Sequence, residues 1–123
     1  ANHWGKYSHP GDRSEQPIDP NFQGYGKILS TNTGHYTFRT IKPGGYGNSF
    51  FRRTPHIHFK IHGPGFEGLT TQMYFANESL NSQDSILQSV KNSKFRSSLI
   101  VDFKTSPQDE LSGIFNIVLG STS

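Results

Sequence analysis

The middle of the chain alternates apolar and polar residues with the period of two that is typical of half-buried β-strands. In residues 55–62 the apolar positions are Ile57, Phe59 and Ile61, and every position between them is polar. Residues 69–75 alternate in a similar way, after a loop rich in glycine. We therefore predict two neighbouring strands that are joined as a hairpin.

Further strand patterns lie on both sides of this hairpin. They cover residues 27–30, 35–41, 99–103 and 112–119. Residues 84–90 instead have helical spacing, and Asp84 stands at the N-cap position that aspartate favours. The core side of that helix would consist of Ile86, Leu87 and Val90. Together these elements predict an all-β sandwich with long irregular loops and at most one short helix.

The composition agrees with a small domain that is rich in turns. The chain has 123 residues, among them 13 glycines, 7 prolines and 10 phenylalanines. This length suits a single domain, and so much glycine and proline favours short strands over long helices. There is no cysteine, which excludes disulfides, thiolate metal ligands and cysteine nucleophiles.

The charge pattern narrows the range of partners. The formal net charge is +3, and the basic residues are scattered apart from the pair Arg52 and Arg53. Nucleic-acid binding is therefore not expected, whereas a small anionic substrate would be tolerated. No apolar run is long enough to span a membrane, so a membrane-bound function is not expected either.

The polar face of residues 55–62 carries the sharpest chemical signal. His56 and His58 are two positions apart on a predicted strand, so their side chains point the same way with Cβ atoms about 6–7 Å apart. At this spacing both imidazoles reach one metal ion, and imidazole suits Fe, Zn, Cu and Ni. A plain solvent-facing strand is the alternative, because Lys60 and His62 continue the same polar face.

Further metal ligands would have to be oxygen donors, since cysteine is absent. Asp12, Asp19 and Glu67 are carboxylate candidates, but their spacing singles out none of them. Tyr46, in a Pro-Gly-Gly-Tyr-Gly turn, and Tyr7, in a Gly-Lys-Tyr segment, are phenolic candidates. A phenolate stays bound near neutral pH only on a strong Lewis acid, and Fe(III) meets that demand. The alternative is an ordinary packed tyrosine with its hydroxyl in water.

Five segments of the chain carry distinctive motifs. They are Gly-Lys-Tyr-Ser-His-Pro at 5–10, Asp-Pro-Asn-Phe-Gln-Gly at 19–24, Phe-Arg-Thr-Ile-Lys-Pro-Gly-Gly-Tyr at 38–46, Arg-Thr-Pro-His-Ile-His-Phe at 53–59 and Leu-Thr-Thr-Gln-Met-Tyr-Phe at 69–75. In this order they resemble the intradiol ring-cleaving dioxygenases, and the second resembles the protocatechuate 3,4-dioxygenase branch. The resemblance implies a β-sandwich enzyme that uses O2 to cleave a catechol between its hydroxylated carbons, giving a muconate-type diacid.

The resemblance also implies a set of site residues. Fe(III) would be held by Tyr7, Tyr46, His56 and His58. Tyr46 would leave the metal when the catechol binds and would accept a catechol proton. Arg53 and Gln72 would line the site, and Arg53 would stabilise negative charge near the ring.

Other functions fit parts of the same pattern. A transthyretin-like sandwich that binds a ligand without catalysis would share the fold, since fold alone does not fix function. A zinc-dependent hydrolase would use His56, His58 and a water molecule. An inactive fragment of the enzyme is a third alternative.

The chain starts within a segment that resembles the middle of the family pattern. We therefore expect residues 1–123 to form a single catalytic core domain that lacks its first strands. A companion polypeptide, or an equivalent subunit in a homo-oligomer, would supply those strands. The apolar faces of the predicted strands would otherwise remain exposed, which favours aggregation.

Overall fold

The computed structural model of the protein describes residues 1–7, 11–12, 14–47 and 52–120. Residues 8–10, which complete the first of the five motifs, lie outside these described residues. Strands and loops make up most of the described chain, and this confirms the all-β fold that the sequence predicts. Among the described elements, no helix is long and apolar enough to cross a membrane.

The strands are short except for two in the middle of the chain. They are β1 (Tyr46–Gly47), β2 (Arg52–Arg53), β3 (His56–Ile61), β4 (Leu69–Phe75), β5 (Ile100–Val101), β6 (Lys104–Thr105) and β7 (Leu111–Ser112). Strands β1 and β2 form one antiparallel pair, and β6 and β7 form another. The central sheet has the order β3-β4-β5, with β3 antiparallel and β5 parallel to β4.

The β3–β4 hairpin confirms the alternating pattern of the sequence. Met73 lies opposite Ile57 in the ladder, and together with Phe75 and Val101 it belongs to the buried apolar core. Phe59 packs against this core from the neighbouring strand. The period of two therefore sends the apolar residues of both strands to the same side of the sheet, and the polar residues to the other.

The register of β3 against β4 fixes which polar residues face each other. His56 lies opposite Tyr74, and His58 lies opposite Gln72. Because residues directly opposite in a ladder point to the same face, these four side chains form one continuous wall. These four side chains are thus positioned by two strands whose opposite faces pack against the apolar core.

Helical structure is slightly more extensive than the sequence predicts. A 3₁₀ helix spans Ser79–Gln83, and two α-helices follow, α1 (Ser85–Gln88) and α2 (Ser93–Ser98). Asp84 caps α1 as predicted, and Leu87 is buried, but Ile86 is 43% exposed because so short a helix buries only one side. The prediction of at most one helix missed α2, which Asn92 caps in the same way as Asp84 caps α1.

Residues 27–41 do not form the two predicted strands. The predicted turn between them is present, since the N–H of Thr31 donates to the carbonyl of His35 and the N–H of Gly34 to that of Thr31. Neither arm of the turn forms a ladder with another described strand. Strand propensity alone is insufficient here, because a ladder requires a partner alongside.

The C-terminal strand prediction holds only at its start. Residues 111–112 pair with β6, and residues 113–119 join no ladder within the described chain. Phe115 still packs against the apolar core, and its carbonyl accepts a 2.6 Å hydrogen bond from the hydroxyl of Tyr36. Val118, by contrast, is 90% exposed, so this segment touches the sheet without extending it.

Candidate metal centre

Four polar side-chain atoms from three parts of the chain converge at one end of the sheet. The Tyr7 hydroxyl lies 3.2 Å from the hydroxyl of Tyr46 and 3.1 Å from Nε2 of His58. It also lies 3.4 Å from Nε2 of His56, which is itself 3.1 Å from Nε2 of His58. The structure therefore brings together all four residues that the sequence predicts as metal ligands.

A backbone carbonyl fixes the orientation of the His56 ring. Nδ1 of His56 lies 2.7 Å from the carbonyl oxygen of Thr54. A carbonyl can only accept, so Nδ1 must carry the proton and donate it. The lone pair of Nε2 then points into the cluster, which is the tautomer and the geometry that a metal-binding histidine needs.

The segment that carries Tyr7 is joined to the turn that carries Tyr46 through Asn2. This side chain is only 2% exposed, and its oxygen accepts from the N–H groups of Trp4 and Lys6. The Asn2 carbonyl accepts from the N–H groups of Gly5 and Gly44. Both tyrosine-bearing segments are thus attached to one buried residue, which sequence reasoning missed because no periodic pattern includes it.

Two glycines allow the same two segments to approach closely. A Cβ atom on Gly44 would lie 2.3 Å from the carbonyl oxygen of His3. A Cβ atom on Gly5 would lie 2.6 Å from the carbonyl oxygen of Gly45, and Gly5 also has a φ of +82°, which side chains disfavour. The glycines of both motifs are therefore required for Tyr7 and Tyr46 to meet.

Asp12 supports Tyr7 without joining the cluster. Its carboxylate accepts a 2.7 Å hydrogen bond from the backbone N–H of Tyr7, which is the main reason why the pKa of Asp12 lies below its ordinary value. The other two carboxylate candidates lie elsewhere. Asp19 caps a turn at Asn21 and lies near His3, and the backbone of Glu67 bonds to Gly120. None of the three is part of the converging set.

Burial sets the protonation state of the cluster. Burial, followed by the hydrogen bond with Tyr46, raises the pKa of Tyr7 above its ordinary value. Burial also lowers the pKa of His56 to about 4 and lowers that of His58. Near neutral pH both imidazoles are therefore neutral, as metal ligation requires, and a phenolate at Tyr7 needs a nearby cation to stabilise it.

The predicted residues Arg53 and Gln72 lie together on the wall beside the cluster. Nη2 of Arg53 donates to Oε1 of Gln72 over 2.6 Å and to the hydroxyl of Tyr74 over 3.3 Å. The Tyr74 hydroxyl in turn donates to Oε1 of Gln72 over 2.9 Å. Tyr74 is two positions from Gln72 in β4 and therefore on the same face, where its hydroxyl joins the hydrogen-bond network.

Asp84 is the second partner of Arg53, and the sequence predicted it only as a helix cap. Nε of Arg53 donates to Oδ2 of Asp84 over 2.8 Å. Burial opposes the charge on Arg53, but the hydrogen bond and charge of Asp84 outweigh it and raise the pKa of Arg53. Burial likewise opposes the charge on Asp84, but the hydrogen bonds from Arg53, Leu87 and Thr54 together with the charge of Arg53 outweigh it and lower the pKa of Asp84.

A cleft opens beside the two tyrosines. Its volume is about 380 Å³, and its lining includes Gly5, Tyr7, Asp12 and Tyr46. This volume is within the range of small-molecule sites. A larger depression of about 610 Å³ is lined by Ile28, Leu29, His35 and Tyr36 and contains none of the four converging residues. The cleft at the tyrosines is therefore the one that is relevant to the cluster.

Fold and site together define a small all-β protein with a mixed tyrosine and histidine centre, and comparison with known proteins specifies its family. A family model described as "Dioxygenase" matches residues 1–121. The chain is 40% identical over 126 residues to the protocatechuate 3,4-dioxygenase beta chain of Burkholderia cepacia, an alignment that covers 97% of this chain and 53% of that relative. The chain belongs to the intradiol ring-cleaving dioxygenase family.

Two further relatives are similar over shorter stretches. A chlorocatechol 1,2-dioxygenase of Pseudomonas putida is 36% identical over 41% of this chain and 25% of its own length. A catechol 1,2-dioxygenase 2 of Acinetobacter lwoffii is 34% identical over 59% of this chain and 30% of its own length. The chain thus spans about half the length of the first relative and less of the other two.

Proposed function

We propose that this chain carries the active site of an enzyme that cleaves a catechol with O2 between its two hydroxylated carbons. The product would be a muconate-type diacid. The observation that carries the proposal is the convergence of two phenol oxygens and two imidazole nitrogens, with the Tyr7 hydroxyl 3.1–3.4 Å from each of the other three atoms. Membership of a family of ring-cleaving dioxygenases supports it.

The donor set fits Fe(III), which we propose as the bound metal. Tyr7, Tyr46, His56 and His58 would be its ligands. Two phenolates supply hard anionic oxygen to a highly charged cation, and neutral imidazoles complete the set. When bound, a ferric ion would supply the Lewis acidity that makes a catechol reactive toward O2. A zinc hydrolase based on the two histidines would leave both converging tyrosines without a role.

Three side chains near the metal would take part in substrate binding and catalysis. The phenolate oxygen of Tyr46 would accept a proton from a catechol hydroxyl when the substrate binds, which leaves Tyr46 as a neutral phenol. The guanidinium of Arg53 would stabilise the negative charge of the substrate, because a fixed positive group in a buried site interacts strongly with developing charge. Gln72 would hold one end of that guanidinium through the 2.6 Å bond from Nη2. The cleft at Tyr7 and Tyr46 is large enough for a single aromatic ring.

We further propose a catechol that bears a carboxylate as the substrate. The Burkholderia relative, whose alignment covers 97% of the chain, is named for protocatechuate, and residues 19–24 resemble the same branch. A formal net charge of +3 would tolerate such an anion.

Residues 1–123 would then act as a catalytic core domain whose sandwich is completed by strands from a companion polypeptide or an equivalent subunit. Large apolar side chains support this part of the proposal, since Leu29 and Val118 are each 90% exposed and Ile114 is 80% exposed. Partner strands that cover these side chains would remove their apolar surface from water. The name of the Burkholderia relative, a beta chain, points to an assembly of different chains in that protein.

Mass spectrometry of the reaction product tests the proposed reaction. The purified assembly is incubated with a carboxylated catechol and with unsubstituted catechol under O2. Cleavage between the hydroxylated carbons gives a diacid that contains both atoms of O2. A semialdehyde from cleavage beside the diol, or no O2 uptake by the iron-loaded protein, would contradict the proposal.

A further inference from the structure

Arg53 is held by a buried carboxylate that lies 31 positions further along the chain. Its Nε donates to Oδ2 of Asp84 over 2.8 Å, and the two side chains are 5% and 0% exposed. Asp84 is not part of the converging tyrosine and histidine cluster. A charge pair this deeply buried has to be oriented by its neighbours, because neither partner is solvated by water.

The two oxygens of Asp84 serve different parts of the molecule. Oδ1 accepts from the N–H groups of Ile86 and Leu87 and so caps helix α1. Oδ2 accepts from Nε of Arg53 and from the N–H of Thr54 over 3.0 Å. One carboxylate therefore ties the start of the helix to the strand that precedes β3.

The segment around Asp84 is itself firmly docked, so it can act as a fixed support. The side chain of Asn81 accepts from the hydroxyl of Thr54 over 2.7 Å and donates to the carbonyl of Phe75 over 2.7 Å. The side chain of Gln88 donates to the Asn81 carbonyl over 3.0 Å. These bonds fasten the helical segment both to the residue after Arg53 and to the end of β4.

The opposite end of the guanidinium points toward the wall beside the cluster. Nη2 of Arg53 bonds to Gln72 and Tyr74, the residues that lie opposite His58 and His56 in the ladder. The backbone of Arg53 pairs with that of Tyr46. Strand pairing thus fixes the backbone position of Arg53, and the hydrogen bond to Asp84 fixes the direction in which its side chain extends.

We propose that Asp84 is a positioning residue for the ring-cleavage reaction, because by binding Nε it aims the other N–H groups of Arg53 at the substrate side of the metal centre. This inference rests on the proposed function. It assigns Asp84 no contact with the substrate or the metal, so the whole effect of Asp84 on the chemistry passes through Arg53. Loss of the anchor should therefore lower kcat without removing the metal.

Substitution by serine separates the two tasks of Asp84. Serine is as good an N-cap as aspartate, so Asp84→Ser keeps a cap on α1. Its side chain is too short to reach Nε of Arg53, so the anchor is lost. Asn92→Ala is the matched control, since Asn92 caps α2 through the N–H groups of Lys94 and Phe95 and has no bond to Arg53. If Asp84→Ser does not yield folded holoenzyme, Asp84→Asn takes its place in the experiment. Asparagine retains the volume of aspartate but has one acceptor oxygen where two are needed.

The experiment uses the iron-loaded assembly and the catechol that the wild type cleaves. We expect Asp84→Ser to lower kcat about 10- to 100-fold, the loss that is typical of a displaced catalytic group. Iron content and the visible absorption band should stay as in the wild type, and KM should change less than about threefold. Asp84→Asn should lower kcat about tenfold, and Asn92→Ala should leave it within about twofold.

A double-mutant cycle separates positioning from a general structural effect. In an Arg53→Ala background, Asp84→Ser should cause no further loss of kcat, because its target is gone. If Asp84→Ser lowers kcat by the same factor in Arg53→Ala as in the wild type, the inference is overturned. A kcat for the single Asp84 variants within about twofold of the wild type would also overturn it. A wild type that contains no iron or consumes no O2 would instead overturn the proposed function, and the inference with it.

Discussion

Tyr7 and His58 are 51 positions apart in the chain, and the Tyr7 hydroxyl lies 3.1 Å from Nε2 of His58. The histidine belongs to a regular strand, whereas the tyrosine belongs to an irregular segment that hydrogen bonds at Asn2 and Asp12 hold in place. The centre therefore has two halves. The rigid half is His56 and His58 on strand β3, and the loop half is Tyr7 and Tyr46, which the N-terminal segment and the glycine-rich turn carry. Mutations in the two halves should have different consequences.

Removal of a histidine from the rigid half should remove the metal. We expect His56→Ala to lose most of the bound iron, because a neutral nitrogen ligand disappears and its partner His58 cannot replace it. His62→Ala is the matched control, since His62 directly follows β3 and does not belong to the cluster. Elemental analysis and the visible spectrum measure the result. Full iron content in His56→Ala would show that the ligand assignment is wrong.

Tyr46→Phe should separate metal binding from catalysis. Tyr46 is the proposed ligand that would leave the metal when the catechol binds, so the other three proposed ligands should hold much of the iron without it. The proton acceptor for the catechol is lost, so substrate binding and turnover should slow by about 10²–10⁴-fold, the usual contribution of a positioned acid or base. Stopped-flow absorbance follows substrate binding, and oxygen uptake follows turnover. Unchanged rates in an iron-loaded Tyr46→Phe protein would remove Tyr46 from the mechanism.

The glycines between the two tyrosine segments should tolerate no side chain. Gly44→Ala places a Cβ against the His3 carbonyl, so the segment that carries Tyr7 has to move away. We expect a loss of iron and a fall in the free energy of unfolding of about 1–3 kcal/mol. Gly26→Ala is the control, because a Cβ there meets nothing within 4 Å, and it should leave both quantities unchanged. Equal behaviour of the two variants in denaturant titrations and iron assays would contradict this account of the junction.

Asp84 should make stability sensitive to acid. Burial opposes its charge, but the hydrogen bonds from Arg53, Leu87 and Thr54 together lower its pKa in the folded state, so its contribution to stability is fully present above the unfolded pKa of roughly 4. That contribution is lost as the pH falls below roughly 4 toward the folded pKa, because protons then bind the unfolded state first. Urea midpoints measured from pH 6 downward should fall less steeply for Asp84→Asn than for the wild type. If the urea midpoints of the two proteins fall equally steeply with pH, Asp84 is not charged in the folded protein.

The sequence predicts the rigid half of the site better than the loop half. Alternation alone places His56 and His58 on one face and Gln72 opposite, because a strand has a strict period and a hairpin fixes the register. Tyr7 and Tyr46 are only two of several oxygen-donor candidates until the family resemblance selects them, since Tyr7 lies in an irregular segment and Tyr46 in a two-residue strand, and neither is long enough to show a period. The Arg53–Asp84 pair is not predicted at all, because it depends on how a helical segment docks 31 positions away.

The errors in the predicted strands have a related cause. Residues 27–41 have the residue types and alternation of a hairpin, and their turn forms, but no described strand pairs with the arms. Pairing is a property of the neighbours of a segment, which the segment itself does not encode. The hydrophobic pattern does not predict helix α2, because this helix buries no apolar face. Its formation depends instead on the local cap at Asn92.

The visible absorption spectrum of the purified iron-loaded assembly tests the central claim most directly. Two tyrosinates on one ferric ion give a broad charge-transfer band, so the account predicts a red to burgundy protein with one iron per site. The band should fade when the iron is removed with a chelator and return when ferric ion is added back. A colourless protein that contains stoichiometric zinc would contradict the claim that Tyr7, Tyr46, His56 and His58 form a ferric centre.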